Sequence, residues 1–136
     1  MKLVIGNPKT GKSYQMETNE AQDKTLIGKK IAEQIEGHAY GLAGYTLQIT
    51  GGTDKQGFPM RQDVHGSTRK SILVGPSTGM QKSKRKGYRR RKTILGNTIT
   101  ENMAQINLKV TIAGDKDIDA ILGKKQDEQK EESNSS

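Results

Sequence analysis

The chain has 136 residues, a formal net charge of +8 and no cysteine. That length suits one domain, or one domain with a tail. Without Cys there is no disulfide framework, no Cys-ligated zinc and no cysteine nucleophile. No apolar run approaches the ~20 residues needed to cross a bilayer, and the opening MKLVIGNPKT lacks a signal-peptide core. The expectation is a small soluble cytoplasmic protein. Leu, Ile, Val and Phe make up 25 of the 136 residues, or 18%. Such a share, with high charge, usually marks disorder. It can fill a small closed sheet, but not a doubly wound α/β domain.

In chain order, residues 2–5 are a short apolar run and 13–17 alternate, with Tyr14 and Met16 on one face. NPKTG between them is a good turn, so a hairpin opens the domain. Asp23 caps a predicted helix over 24–36, where Ile27, Ile31 and Ile35 stand four apart beside Ala32 and Gly37 is a natural stop. Residues 45–50 alternate as a strand with Tyr45, Leu47 and Ile49 on one face, ended by Gly51-Gly52. Residues 71–74 form a short strand, and 93–100 a strand interrupted at Gly96-Asn97. Residues 106–113 alternate again, with Ile106, Leu108, Val110 and Ile112 inward. The pattern predicts a mainly β fold: a small β-barrel of about six short strands with one helix, a basic loop and a disordered acidic C-terminal tail. Residues 1–122 are the barrel domain. Residues 123–136 have no apolar side chain beyond Gly and form the polar tail.

Residues 6–13, GNPKTGKS, match the phosphate-cradling pattern G-x-x-x-x-G-K-[ST] after an apolar strand. In that reading Lys12 would reach the β- and γ-phosphates and Ser13 would bind Mg²⁺. Such a loop must open a helix whose N-terminus faces the phosphates. Here the following residues keep strand register, so a hairpin turn is expected and nucleotide binding is the alternative. His38 and His65 have no neighbouring catalytic partners. Asp115, Asp117 and Asp119 resemble the start of a calcium loop, but Ala120 and Gln126 stand where Gly and Glu are required. Nothing in this pattern argues for catalysis or a metal.

The charge is unevenly spread. Residues 61–92 hold 11 of the 23 Lys and Arg residues and one acid, Asp63, for a local charge of +10. The remainder is slightly acidic. Eight of those 11 cations fall within 82–92, QKSKRKGYRRRK counted from Gln81. Lysines and arginines at phosphates release condensed counterions, and affinity then falls steeply with salt. Arg also forks onto phosphate, and Tyr88 offers one stacking face. The candidate RNA-binding residues are Arg61, Arg69, Lys70, Lys82, Lys84, Arg85, Lys86, Tyr88, Arg89, Arg90, Arg91 and Lys92. A solvated charged loop is the plainer reading, but charges this dense repel one another without a counter-surface. A membrane is disfavoured because no amphipathic apolar face accompanies them. Residues 50–66 join two strands, with Asp54 at a tight turn. Phe58 and Met60 are expected to plug one end of the barrel, with stacking on a partner as the alternative, and Arg61 to project toward the basic face.

The stretch ITGGTDKQGFPMRQDVHG, 49–66, resembles the signature of the S-six-e family of small-subunit ribosomal proteins shared by archaea and eukaryotes. Further segments agree in order: NPKTGKSYQ, LIGKKI, GLAGYTLQITGG, RRRK, GNTIT and QINLKV. The similarity covers about residues 1–115. It implies a structural ribosomal protein with a small barrel-like domain in the cytoplasmic ribosome. Its implied partners are small-subunit ribosomal RNA and neighbouring ribosomal proteins, with no membrane, small-molecule substrate, cofactor or catalysis. It also implies that the PKTGK turn joins two strands. Leu95 stands where the family usually carries Arg, so one implied RNA contact has no counterpart here. The long basic C-terminal helix of eukaryotic members and its phosphorylated serines are missing, and the short chain looks like the archaeal form.

Overall fold

The computed structural model describes residues 1–80, 85–118 and 120–121. The expected C-terminal tail lies outside them, as do Lys82 and Lys84. Among the described residues there are seven strands: β1 (Lys2–Asn7), β2 (Lys12–Glu17), β3 (Gln34–Glu36), β4 (Thr46–Asp54), β5 (Arg69–Val74), β6 (Arg90–Leu95) and β7 (Met103–Ile112). The α-helix α1 (Glu20–Leu26) and a 3-10 turn at Gly37–Tyr40 lie between them, and residues 118, 120 and 121 are also helical. The chain is mainly β, as the alternation predicts.

Five strands form one sheet in the order β2-β1-β7-β4-β3, and β5 and β6 form a separate two-stranded ribbon. Among the described residues the hydrogen-bonded ladders form an open sheet and a ribbon and do not show the closure expected of a barrel. The lean core explains how the sheet is served. Leu3 and Ile5 of β1, Leu47 and Ile49 of β4, and Ile106 and Leu108 of β7 all turn one way into a single apolar cluster. Their spacing of two is the strand period. Ile112 departs from the expected inward set: it is 59% exposed, at the far end of β7 beyond that cluster.

The opening hairpin forms as expected. Asn7 makes its turn: its carbonyl accepts from the Gly11 N–H at 2.9 Å, and its Oδ1 accepts from the Lys9 N–H at 3.1 Å. Gly11 takes a φ of 69°, which a side chain would resist.

The helix is shorter and earlier than the sequence pattern suggests. Asn19, not Asp23, is its N-cap, and the Gln22 Oε1 accepts from the Asn19 N–H at 3.1 Å. Asp23 lies inside the helix and binds the N-terminal ammonium at 3.4 Å and the Thr18 hydroxyl. Gly28, at φ 89°, follows the helix end. Beyond it the backbone runs against 97–99 instead of continuing as helix: Gly28 N–H donates to Ile99, Ile31 N–H to Asn97, and Ile99 N–H to Lys29. The isoleucine triplet is therefore split, with Ile35 buried in β3. Tertiary backbone pairing outweighs a helical spacing already weakened by an internal glycine.

β4 also departs from expectation, passing through Gly51-Gly52 to Asp54 with a register shift between Ile49 and Gly51. A Cβ on Gly52 would lie 2.5 Å from the Gln105 carbonyl oxygen. Glycine here lets β4 approach β7 closely rather than ending the strand. In the basic region, the interrupted strand expected at 93–100 is instead β6, ending at Leu95, and β5 begins at Arg69 rather than 71.

Candidate nucleic-acid interface

The ribbon carries much of the charge. Its cross-strand pairs are Arg69–Leu95, Lys70–Ile94, Ser71–Thr93, Ile72–Lys92, Leu73–Arg91 and Val74–Arg90. Arg90, Arg91 and Lys92 are thus strand residues, not loop residues as the composition suggested. Opposite residues share a face, so Ile72, Val74 and Ile94 lie on one side. Val74 and Ile94 are buried there. Residues 75–80 contribute to that cover: a Cβ on Gly79 would meet Ile94 Cγ2 at 3.3 Å.

Arg61 holds this covering segment in place. Its Nε donates to Asp63 Oδ1 at 2.6 Å, while one Nη donates to the Ser77 hydroxyl at 3.0 Å and to the Thr78 carbonyl at 3.2 Å. The Arg61 guanidinium holds the Asp63 carboxyl below its usual range. These donors are engaged within the molecule.

Arg69 is engaged as well. Its Nε and one Nη donate to Asp54 Oδ2 at 2.9 and 2.7 Å. The other oxygen of Asp54 accepts the N–H groups of Gln56 and Phe58, both at 2.9 Å. The Asp54 side chain is only 1% exposed. Burial alone raises its carboxyl pKa, but the Phe58 N–H, Arg69 and the Gln56 N–H outweigh burial and leave it lowered. The Arg69 guanidinium also sits 4.8 Å from the centre of the Phe58 ring, within cation–π range. Phe58 packs against the core, and Met60 is buried within it.

The other cations differ. Lys70 is exposed, and its Nζ reaches only the His65 carbonyl, at 3.4 Å. Lys86, Arg89, Arg90 and Arg91 are exposed, and Lys92 is half-buried; none of their side chains has a hydrogen-bond or ion-pair partner among the described residues. Arg85 is exposed and Tyr88 half-buried. Leu95, where the resemblance anticipated an arginine, is 3% exposed and packs in the core cluster.

The structure therefore divides the predicted residues into two sets. Arg61 and Arg69 fasten loops and strands, whereas 85–92 present charge outward. Sequence reasoning placed Asp54 in a turn but missed it as Arg69's acceptor. The local pattern Asp-x-x-Gly-Phe signals the turn; nothing local signals a partner 15 residues away.

The nucleotide-loop alternative loses its geometry. Gly6 pairs with Ser13 and Asn7 with Lys12 across the β1–β2 ladder. Lys12 and Ser13 start a strand rather than a helix. The backbone there is directed into a sheet, not gathered around a phosphate at a helix N-terminus. Among the described residues no group of His, Asp and Glu could hold a metal ion, and no helix is long and apolar enough to cross a membrane.

The fold and surface thus define a small β-protein whose ribbon presents cations without a partner among the described residues. Residues 1–123 match the ribosomal protein S6e family. A relative from Methanocaldococcus jannaschii, small ribosomal subunit protein eS6, is 50% identical over 131 residues, covering 96% of this chain and 97% of the relative. The protein of that name from Methanosphaera stadtmanae is 46% identical over 119 residues, 88% of this chain and 91% of the relative. The one from Methanococcus maripaludis strain C5 is 48% identical over 113 residues, 83% and 88%. The chain belongs to the ribosomal protein S6e family. It is a structural component of the small subunit of the cytoplasmic ribosome and not an enzyme.

Proposed function

We propose that this chain binds small-subunit ribosomal RNA through phosphate contacts from its basic ribbon and the segment leading into it. The observation that carries this reading is the set Lys86, Arg89, Arg90, Arg91 and Lys92, which has no intramolecular counter-charge among the described residues. Cations gathered this densely repel one another until a polyanion neutralises them. Lys70 projects from the same ribbon. Lys82, Lys84 and Arg85 extend the basic stretch, and Tyr88 adds a stacking face. Arg61 and Arg69 support the binding surface from within. Neighbouring ribosomal proteins complete the surroundings.

The test is replacement of Arg89, Arg90, Arg91 and Lys92 together by Ala. Binding of a small-subunit ribosomal RNA fragment is then measured across a range of salt. Each lost phosphate contact lowers the slope of log affinity against log salt by about 0.7–0.9. The expected result is weaker binding with a markedly shallower slope. An unchanged slope in a folded variant removes the assignment.

A further inference from the structure

The ribbon has a second face, away from the buried Val74 and Ile94. Ser71, Leu73, Arg91 and Thr93 occupy it, and all four are exposed. Leu73 is 57% exposed, whereas most large apolar side chains of the described residues are buried. Its direct cross-strand partner is Arg91.

The hydrogen bonding fixes how close this pair stands. The Leu95 N–H donates to Pro59, and the Leu95 carbonyl accepts from Arg61, so Leu95 directs its backbone away from β5. Register is unbroken along the ribbon. Thr93 and Arg91 therefore also direct their N–H and C=O groups away from β5, in non-hydrogen-bonded pairs with Ser71 and Leu73. Side chains in such pairs stand closest. The result is an apolar side chain beside a planar guanidinium, next to two hydroxyls.

We propose that this face seats an unpaired RNA nucleotide, with the base against Leu73 and Arg91. The inference rests on the RNA-binding reading above. A phosphate needs cations but no exposed leucine. A regular RNA helix hides its base faces in the stack, so a flat apolar-plus-guanidinium platform fits a base that has left it. The charge around the platform matches the phosphates on either side of such a nucleotide. Arg90 and Lys92 flank Arg91 on the opposite face, and Lys70 adjoins Ser71.

The experiment compares two RNAs with the full chain: a regular duplex, and the same duplex with an unpaired adenosine loop at its centre. Leu73→Ser removes the apolar contact, and Arg91→Lys keeps the charge but removes the planar group. Leu73→Ser is expected to weaken binding to the looped RNA about fivefold, the effect of covering roughly half a leucine side chain, and Arg91→Lys is expected to weaken it as well, through loss of the planar stacking group. For Leu73→Ser, duplex binding and the salt slope should stay as in the parent. Equal binding of parent and variants to the looped RNA overturns the inference, as does an equal loss on both RNAs in Leu73→Ser. Intact RNA selectivity with lost association to a small-subunit protein also overturns it, because the face then serves a protein. A parent chain that binds neither RNA in a salt-dependent way refutes instead the RNA-binding reading beneath it.

Discussion

Arg69 lays two nitrogens on a single oxygen of Asp54, at 2.9 and 2.7 Å, and leaves the other oxygen to two backbone N–H groups. One carboxylate thereby joins the end of β4, the turn after it and the first residue of β5. This buried group is one tie between the ribbon and the sheet, beside the backbone bonds of Leu95 with Pro59 and Arg61 and of Met60 with Gly52.

Asp54→Asn keeps the shape but turns an amide towards a guanidinium or sacrifices a turn contact. Hydrogen bonds to charged groups are worth about 1.5–3 kcal/mol each, and a buried partner left unsatisfied adds to the loss. The expected result is a destabilisation of about 3 kcal/mol in urea unfolding. Loss below about 1 kcal/mol would show that the Phe58–Arg69 stack suffices.

The same pairs set the response to acid. The folded-state pKa values of Asp54 and Asp63 lie below their ordinary values. Their contribution is present above the unfolded value, about 4, and is lost as pH falls through the folded values. Tyr40 and Tyr45 are raised, chiefly by burial. Their contribution is present below the unfolded value, about 10, and is lost as pH rises through the folded ones. Melting temperature should be flat between these limits with respect to these groups. In Asp54→Asn the fall below pH 4 should shrink, which thermal scans at stepped pH will reveal.

Gly96 marks the tightest approach in the molecule's basic half. A Cβ there would lie 1.9 Å from the Gly66 carbonyl oxygen, which is backbone and cannot swing aside. Gly96→Ala should cost about 3 kcal/mol or more, the upper range for overpacking. Gly51→Ala is the control, since its Cβ would meet nothing within 4 Å. Similar chemical-denaturation midpoints for the two variants would contradict this account.

Arg61 fastens residues 77–78 over the inner face of the ribbon. Arg61→Ala should speed hydrogen exchange at the Met80 N–H, which donates to Ser77 at 3.0 Å. Exchange at the central Ile106 N–H should be unchanged, because local and global openings differ in free energy. Uniform acceleration at both sites would make Arg61 a global stabiliser instead.

How far the sequence revealed the molecule follows from the range of each signal. Alternation is local, so the hairpin and the buried faces of β4 and β7 were legible in Leu3, Ile5, Leu47, Ile49, Ile106 and Leu108. The false helix arose because Ile27, Ile31 and Ile35 satisfy a helical spacing while residues 28–31 are claimed by 97–99. Gly51-Gly52 read as a stop because glycine signals both a turn and a close approach, and only the neighbouring strand decides. For the interface, composition found the cations but could not sort them. Arg61 and Arg69 look like Arg90 and Arg91 until Asp63 and Asp54 are placed beside them. Leu73 gave no signal, since its meaning comes from a register with Arg91.

The parallel pairing of β1 with β7 has a consequence for how the chain matures. Lys2–Gly6 aligns with Gln105–Lys109, nearly the whole described chain apart. During synthesis β1 can pair with β2 early, but its second neighbour does not yet exist. The ribbon and the opening hairpin are short-range structures, whereas the centre of the sheet is a long-range one that forms slowly. In a chain made only as far as β6, the opening hairpin and the ribbon can form while β1 still lacks β7. Until β7 is made, Leu3 and Ile5 lack the strand that pairs with theirs in the finished sheet.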